Sequence, residues 1–247
     1  MLCPASAENA RLHNADSVAP RKGIRYARRM VASLLIGHAE NRAFTRLLRP
    51  EPLADGAEPE ERVMLGGVSW QRYLALDKAL GDDRPGPRFY YLDGDLEIMS
   101  TSEEHERIKK WIAGFMDIYF EETETENMPR GQATMRLALK QAGAEPDESW
   151  CIAVEKKFPD LVLEIALSSG GVRKLELYQR FEVPEVWFWR RGKLEIHALR
   201  KDGSGYDEVR KSRVLPRFNS ALLMRCVAIE SWLEARRAFR AGLAAKS

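Results

Sequence analysis

The 247-residue chain has little excess charge of either sign: its formal net charge is +2. A strongly basic surface, which would announce nucleic acid, is missing from the total, although a balanced total can hide a local basic groove. Cysteine is scarce. Cys3, Cys151 and Cys226 are odd in number, far apart and never form C-x-x-C. That argues against a disulfide framework and a thiolate zinc site, and it suits a reducing, cytoplasmic setting. The four histidines, His13, His38, His105 and His197, lack ligand spacing, so a bound metal would be met by carboxylates. No apolar run reaches the ~18 residues of a membrane span, so no membrane partner is expected. No internal repeat is present, and neither a helix-turn-helix nor a zinc finger is visible to read a base sequence.

What the chain does have is an ordinary globular balance, 45% apolar and 31% charged residues, enough for one sizeable core. Residues 1–62 read as an N-terminal extension that ends in the linker-like Pro52-Leu53-Ala54-Asp55-Gly56-Ala57-Glu58-Pro59. Inside it, Arg21, Lys22, Arg25, Arg28 and Arg29 precede an apolar run over 30–37. The pattern imitates an export signal. The run is short and starts late, so an amphipathic helix or a loosely ordered segment is expected instead.

Residues 63–247 are the expected compact domain. Ser69 caps a short helix carrying Trp70, Tyr73, Leu74 and Leu80. Asp93-Gly94 and Arg191-Gly192 each separate two short apolar runs, which predicts two hairpins. Thr101 and Glu104 have capping-box spacing, and Ile108, Trp111, Ile112, Phe115, Ile118 and Tyr119 then fall on one helical face. Asn127-Met128-Pro129 ends that helix. Strands are predicted over 133–139, 148–154 and 161–167, a helix over 172–181 and a last helix over 227–241. The segment 221–223 either begins the last helix or stands alone. The order implies an α/β (α+β) class, one central mixed β-sheet with helices on its faces.

The strand 160–167 alternates in an uneven way. Leu161, Leu163, Ile165 and Leu167 form a wholly apolar face, while Asp160, Val162, Glu164 and Ala166 form the other. A mid-strand carboxylate is expensive to bury unless it is paired or binds a metal. The alternative is that Glu164 faces water on a half-exposed sheet. A tight hairpin turning at Glu155-Lys156 would set Asp147 opposite Glu164, with Cβ atoms about 5 Å apart. Two carboxylates so placed repel unless a cation lies between them, and Mg²⁺ takes a small set of carboxylates completed by water and phosphate. Asp160 shares a face with Glu164 but lies about 13 Å away along the strand, which leaves it at most an indirect role. Lys174, in the first turn of the next helix, can return over the strand end; alone it would be an ordinary surface lysine. Glu103, Glu104 and Glu106 offset the helix dipole, and Glu106 can pair with Lys110.

These segments resemble a known family. Tyr91-Leu92-Asp93-Gly94-Asp95-Leu96-Glu97-Ile98-Met99-Ser100, Gly143-Ala144-Glu145-Pro146-Asp147-Glu148-Ser149, Pro159-Asp160-Leu161-Val162-Leu163-Glu164-Ile165, Lys174-Leu175-Glu176-Leu177-Tyr178 and Val183-Pro184-Glu185-Val186-Trp187 are similar, in order, to the Uma-two family. That large bacterial group is assigned a restriction-endonuclease-like fold of the PD-(D/E)XK type. The resemblance runs over residues 68–232. It implies that Asp147 and Glu164 ligate Mg²⁺ (or Mn²⁺), and that Lys174 replaces the lysine usually found two residues after the glutamate, where this chain has Ala166. It also puts Glu104 and His105 near the mouth of the site. Ser168-Ser169-Gly170-Gly171 and Glu182 depart from the family pattern.

The implied activity is hydrolysis of DNA phosphodiesters, with a homodimer suited to cutting both strands. The competing reading is a non-catalytic module binding nucleic acid or protein on the same scaffold. Arg107, Lys109, Lys110, Arg130 and Arg210-Lys211-Ser212-Arg213 are the candidate backbone contacts, each also readable as solvated surface. Trp187 and Trp189 read as core residues.

Overall fold

The computed structural model describes residues 45–48, 61–80, 87–167 and 171–245. The expected N-terminal helix or loose segment, and Ser168-Ser169-Gly170, lie outside the described residues. In chain order the elements are β1 (Thr45–Leu48), β2 (Glu61–Leu65), α1 (Trp70–Leu80), β3 (Arg88–Leu92), β4 (Asp95–Ser100), α2 (Glu103–Glu122), β5 (Asn127–Pro129), β6 (Met135–Leu137) and β7 (Ala142–Ala144). Then come β8 (Glu148–Ile152), β9 (Leu161–Ile165), α3 (Lys174–Arg180), β10 (Glu185–Arg190), β11 (Lys193–Leu199), β12 (Tyr206–Val209), α4 (Ser220–Val227) and α5 (Trp232–Ala244). The class is the expected one: mixed α/β, with sheets flanked by helices.

The strands divide into two sheets rather than one. The first is antiparallel, in the order β1-β2-β4-β3-β7-β6. The second, β12-β11-β10-β9-β8-β5, is mixed, because β9 and β10 run parallel. The chain passes from one sheet to the other between Ala144 and Glu148, so Glu145-Pro146-Asp147 forms the corner. Proline lacks an amide hydrogen to continue a ladder, which suits it to that break.

Three apolar layers result. Phe89, Tyr91, Leu96 and Ile98 face Trp70, Tyr73 and Leu76 of α1. On the far side, Leu161, Leu163 and Ile165 pack on Ile112, Phe115 and Tyr119 of α2, with α4 and α5 closing the layer. Between the sheets, Tyr90, Leu92 and Met99 meet Val162, Val186, Phe188 and the α3 residues Leu177 and Tyr178. The even-numbered face of β9, which carries Glu164, therefore points into the inter-sheet layer and not into water.

Local chemistry explains the joints. Asp93 (φ 49°) and Gly94 (φ 95°) make the β3–β4 turn, and Arg191 (φ 48°) and Gly192 (φ 74°) the β10–β11 turn, both in the left-handed region a two-residue hairpin needs. Ser102, not Thr101, caps α2, its hydroxyl accepting from the His105 amide at 3.1 Å; the cap lies one residue later than the spacing suggested. Glu106 pairs with Lys109 at 2.5 Å, not with Lys110. Asn127–Pro129 does not merely end a helix but pairs with β8. The predicted strand 133–139 shortens to β6; 221–223 lies in a helix of its own, and the last helix starts at Trp232 with Ser231 as its cap. β2 runs across residue 62, and β1 pairs with it.

Candidate functional site

The register of β8 and β9 is the predicted one: Glu148 pairs with Leu163, Ser149 with Val162 and Trp150 with Leu161. Continued one step beyond β8, this register sets Asp147 against Glu164, and the Asp147 carboxylate accepts from the next β9 amide, that of Ile165. Asp147 is fully buried and Glu164 only 1% exposed.

Glu164 lies at the bottom of the inter-sheet layer. Its Oε2 accepts from Lys174 Nζ at 2.6 Å and from the Tyr90 hydroxyl at 3.2 Å, and its Oε1 accepts from the Tyr178 hydroxyl. The donors come from two elements. Tyr90 is on β3, across the layer. Lys174 and Tyr178 are four residues apart on α3 and so share one helix face. The parallel pairing of β9 with β10 demands a crossover, and α3 is that crossover. Its first turn passes over the strand end from which Glu164 projects. The carboxylate of Glu97 accepts from the Val172 amide at 2.7 Å, which fixes the approach to α3. Arg62 lies 3.7 Å from the same carboxylate.

Burial alone would push Lys174 toward the neutral amine. The adjacent Glu164 charge, helped by Tyr90 and Glu97, more than offsets this and holds its pKa above the ordinary lysine value. The ammonium also lies 3.4 Å from the centre of the Tyr90 ring, a cation–π contact. Burial, then the charge of Glu164, raises the hydroxyls of Tyr178 and Tyr90 well beyond the usual tyrosine range. Both stay protonated and donate.

Asp147 is held differently. Its Oδ2 accepts from the Ile165 amide at 2.6 Å, tying the corner to β9. Its Oδ1 accepts from His105 Nε2 at 2.7 Å and meets the guanidinium of Arg88. Arg88 continues to Glu106 at 3.1 Å. His105 thus reaches the site itself, whereas Glu104 turns outward and pairs with Arg107 at 2.7 Å. Asp160 is not brought to the site. It accepts from the Ile152 amide at 2.7 Å and pairs with Lys156, closing the β8–β9 loop at the far end of the strand.

Arg88, Tyr90, Glu97 and Tyr178 are the site residues that the sequence reading passed over. Two carried a usable signal. Arg88 and Tyr90 alternate on one face of β3, so Arg88 is a charge inside an apolar strand, as Glu164 is. Tyr178 follows Lys174 by four.

A cavity of about 670 Å³ opens over Glu164 and Lys174, lined also by Ala166, Leu175 and Phe188. None of Arg107, Lys109, Lys110, Arg130 or 210–213 lines it. Arg130 instead donates to the Lys157 carbonyl at 3.0 Å and Arg213 to the Leu199 carbonyl at 3.3 Å. Trp187 and Trp189 are core residues, as expected.

Asp147, in the corner before β8, and Glu164, on β9, are the carboxylates a small hard cation would use, and their oxygens are held mainly by side-chain donors. Among the described residues, no group of three or more His, Cys, Asp or Glu side chains is assembled for a metal. Any divalent ion would rest on this pair and would share its oxygens with Arg88, His105 and Lys174.

Residues 70–236 match the model of the family Uma2, described as "Putative restriction endonuclease". No curated protein matches the chain. Among solved structures, the chain is similar to one described as a "putative nuclease belonging to DUF820" from Anabaena variabilis. The identity is 12% and the TM-score 0.41, over 66% of this chain and 97% of that one. Among the described residues, no helix is long and apolar enough to cross a membrane.

Proposed function

Because the chain belongs to the Uma2 family, whose model spans most of it, we propose that it is a metal-dependent endonuclease that hydrolyses DNA phosphodiester bonds where Asp147 meets Glu164. Asp147 and Glu164 would hold Mg²⁺ or Mn²⁺. The observation that carries this reading is Glu164 itself, a carboxylate 1% exposed at the floor of a cavity, with a charged lysine 2.6 Å away. A bound divalent ion supplies Lewis acidity, polarising a phosphoryl oxygen and easing ionisation of water.

The chain's own residues do the rest. Lys174, placed 2.6 Å from Glu164, acts as a fixed cation; it offers charge where the phosphoryl oxygens become more negative in the transition state. Tyr90 and Tyr178 fix the orientation of Glu164, and His105 and Arg88 fix that of Asp147. Water adds to phosphorus and one phosphorus–oxygen ester bond breaks. The protons of water end on the new phosphate end and the new hydroxyl end. Cys151 and Cys226 are free and buried, which supports a reducing, cytoplasmic setting.

A second reading, a non-catalytic binding module, has one observation in its favour: every oxygen of both carboxylates already has a protein donor. Plasmid nicking in Mg²⁺, Mn²⁺ and EDTA, with calorimetric metal titration of the same preparation, separates the two. Nicking that needs metal and a titratable site support the nuclease. A folded protein that binds no metal and nicks nothing supports the module.

A further inference from the structure

We infer that the β10–β11 turn, Arg190-Arg191-Gly192-Lys193, grips the phosphodiester backbone of DNA beside Lys174 and does so without reading base sequence. This rests on the nuclease reading above and adds to it the element that holds the substrate.

The charge of the molecule is unevenly distributed. Among the described residues, six cations line the cavity over Glu164, namely Arg62, Arg173, Lys174, Arg190, Arg191 and Lys193, against two carboxylates, Glu164 and Glu195. That excess is larger than the +2 of the whole chain. Four of the six already have carboxylate neighbours: Lys174 faces Glu164 at 2.6 Å, Arg173 faces Glu176 at 2.7 Å, Arg190 faces Glu195 at 2.9 Å, and Arg62 faces Glu97 at 3.7 Å. Arg191 and Lys193 are exposed, and among the described residues neither is held in an ion pair. They sit on a two-residue turn with both central residues in the left-handed region, a connection that leaves little backbone freedom. The neighbouring Arg190 guanidinium is laid over the Phe188 ring at 4.3 Å, which orients it along the same wall. The turn therefore presents fixed, uncompensated charge at the lip of the cavity whose floor holds Lys174.

A second cavity, of about 1080 Å³, lies on the other side of α3 and shares Leu175 with the first. Among the described residues it also contains four cations, of which three are matched and Lys201 is not, beside three carboxylates, Glu176, Glu182 and Asp202. Lys140 pairs with Glu182, Arg180 with Asp93 and Arg200 with Asp207, each at 2.7 Å. A polyanion entering there would have to break those pairs. The first cavity is the one that attracts it.

The remaining lining side chains of the first cavity are Ala166, Leu167, Val172, Leu175 and Phe188. Among the described residues no asparagine or glutamine lines it to bond an adenine edge; Arg191, which could bond a guanine edge, is assigned to phosphate, and the comparison of two sequences below tests that assignment. Contacts made by cations to phosphate position a strand but carry no sequence information.

The test uses the full chain and fluorescein-labelled duplexes of two unrelated sequences. Binding is followed by anisotropy across a salt series in EDTA, and nicking with Mg²⁺ on the same preparations. The double variant Arg191→Gln, Lys193→Gln keeps polar side chains on the turn and removes the two charges. The expected result is equal binding of both sequences by the wild type. For the double variant, the expected result is a salt slope lower by about 2 and an affinity reduced roughly tenfold or more near physiological salt. Lys140→Gln with Lys201→Gln, in the second cavity, should leave both unchanged. Wild-type affinity and slope in the double variant overturn the proposal, as does wild type that binds neither duplex or strongly prefers one. Salt-dependent binding by a protein that never nicks leaves the grip standing and removes the nuclease reading, so the two failures are distinguishable.

Discussion

Glu164 and Glu185 are both buried glutamates, in neighbouring parallel strands of the same sheet, yet their surroundings have little in common. Glu185 accepts from the Val214 amide at 3.0 Å, the Arg213 amide, the Ser212 hydroxyl at 2.7 Å and the Trp187 indole at 2.9 Å. Two of these donors are backbone, and none is cationic. The carboxylate is a peg on which the loop after β12 is hung. Glu164 has only side-chain donors, one of them an ammonium, and one flank opens to a cavity. Burial makes both carboxylates costly to leave unpaired. On the nuclease reading proposed above, what separates a structural acid from a chemical one is whether its partners can let go and whether a ligand can arrive.

That contrast can be broken by exchanging the two losses. Glu164→Ala should reduce DNA nicking by at least about 10³-fold while the protein still unfolds cooperatively; undiminished nicking would remove Glu164 from the chemistry. Glu185→Ala should do the reverse. It strands several buried donors at roughly 1–3 kcal/mol each, so the melting temperature should fall sharply while nicking by the folded fraction persists. A Glu185→Ala protein as stable as wild type would end its assignment as a peg. Lys174→Ala should cost about 10²–10³-fold in nicking rate with wild-type DNA binding in EDTA, and a pure binding defect would contradict a role in the transition state. Tyr178→Phe, the mildest, should lower nicking roughly tenfold with unchanged melting. If melting falls and the rate does not, Tyr178 supports only the core.

Much of this was legible because it obeys short-range rules. The Asp93-Gly94 and Arg191-Gly192 turns needed only two residues each, and the alternation of 160–167 placed Glu164 opposite the face that packs on α2. The β8–β9 register followed from the position of the turn. What escaped notice depends on other parts of the chain. β7 is Ala142-Gly143-Ala144, with no bulky residue to mark a strand, because the ring of Tyr73 lies directly against Gly143. β5 has three residues and a proline, too little for a pattern. The split into two sheets depends on a corner at Pro146 that looks like any strand start. Arg88 was invisible as a partner of Asp147, since nothing local joins residues so far apart, and the same holds for Tyr90 and Glu164. The cations chosen as DNA contacts were selected by clustering along the chain. Those around the cavity instead come from β2, α3 and one hairpin turn.

Ala166, the residue that follows β9, lines the same cavity as Lys174 and Glu164. Two positions in the chain, one at the end of a strand and one on the crossover helix, can therefore deliver a charge to a single point in space. A lysine at 166 would then supply the charge that Lys174 supplies. The protein carrying both Lys174→Ala and Ala166→Lys should accordingly recover a good part of the nicking rate that Lys174→Ala alone forfeits. The catalytic charge would then be inherited as a location, with the residue that fills it interchangeable.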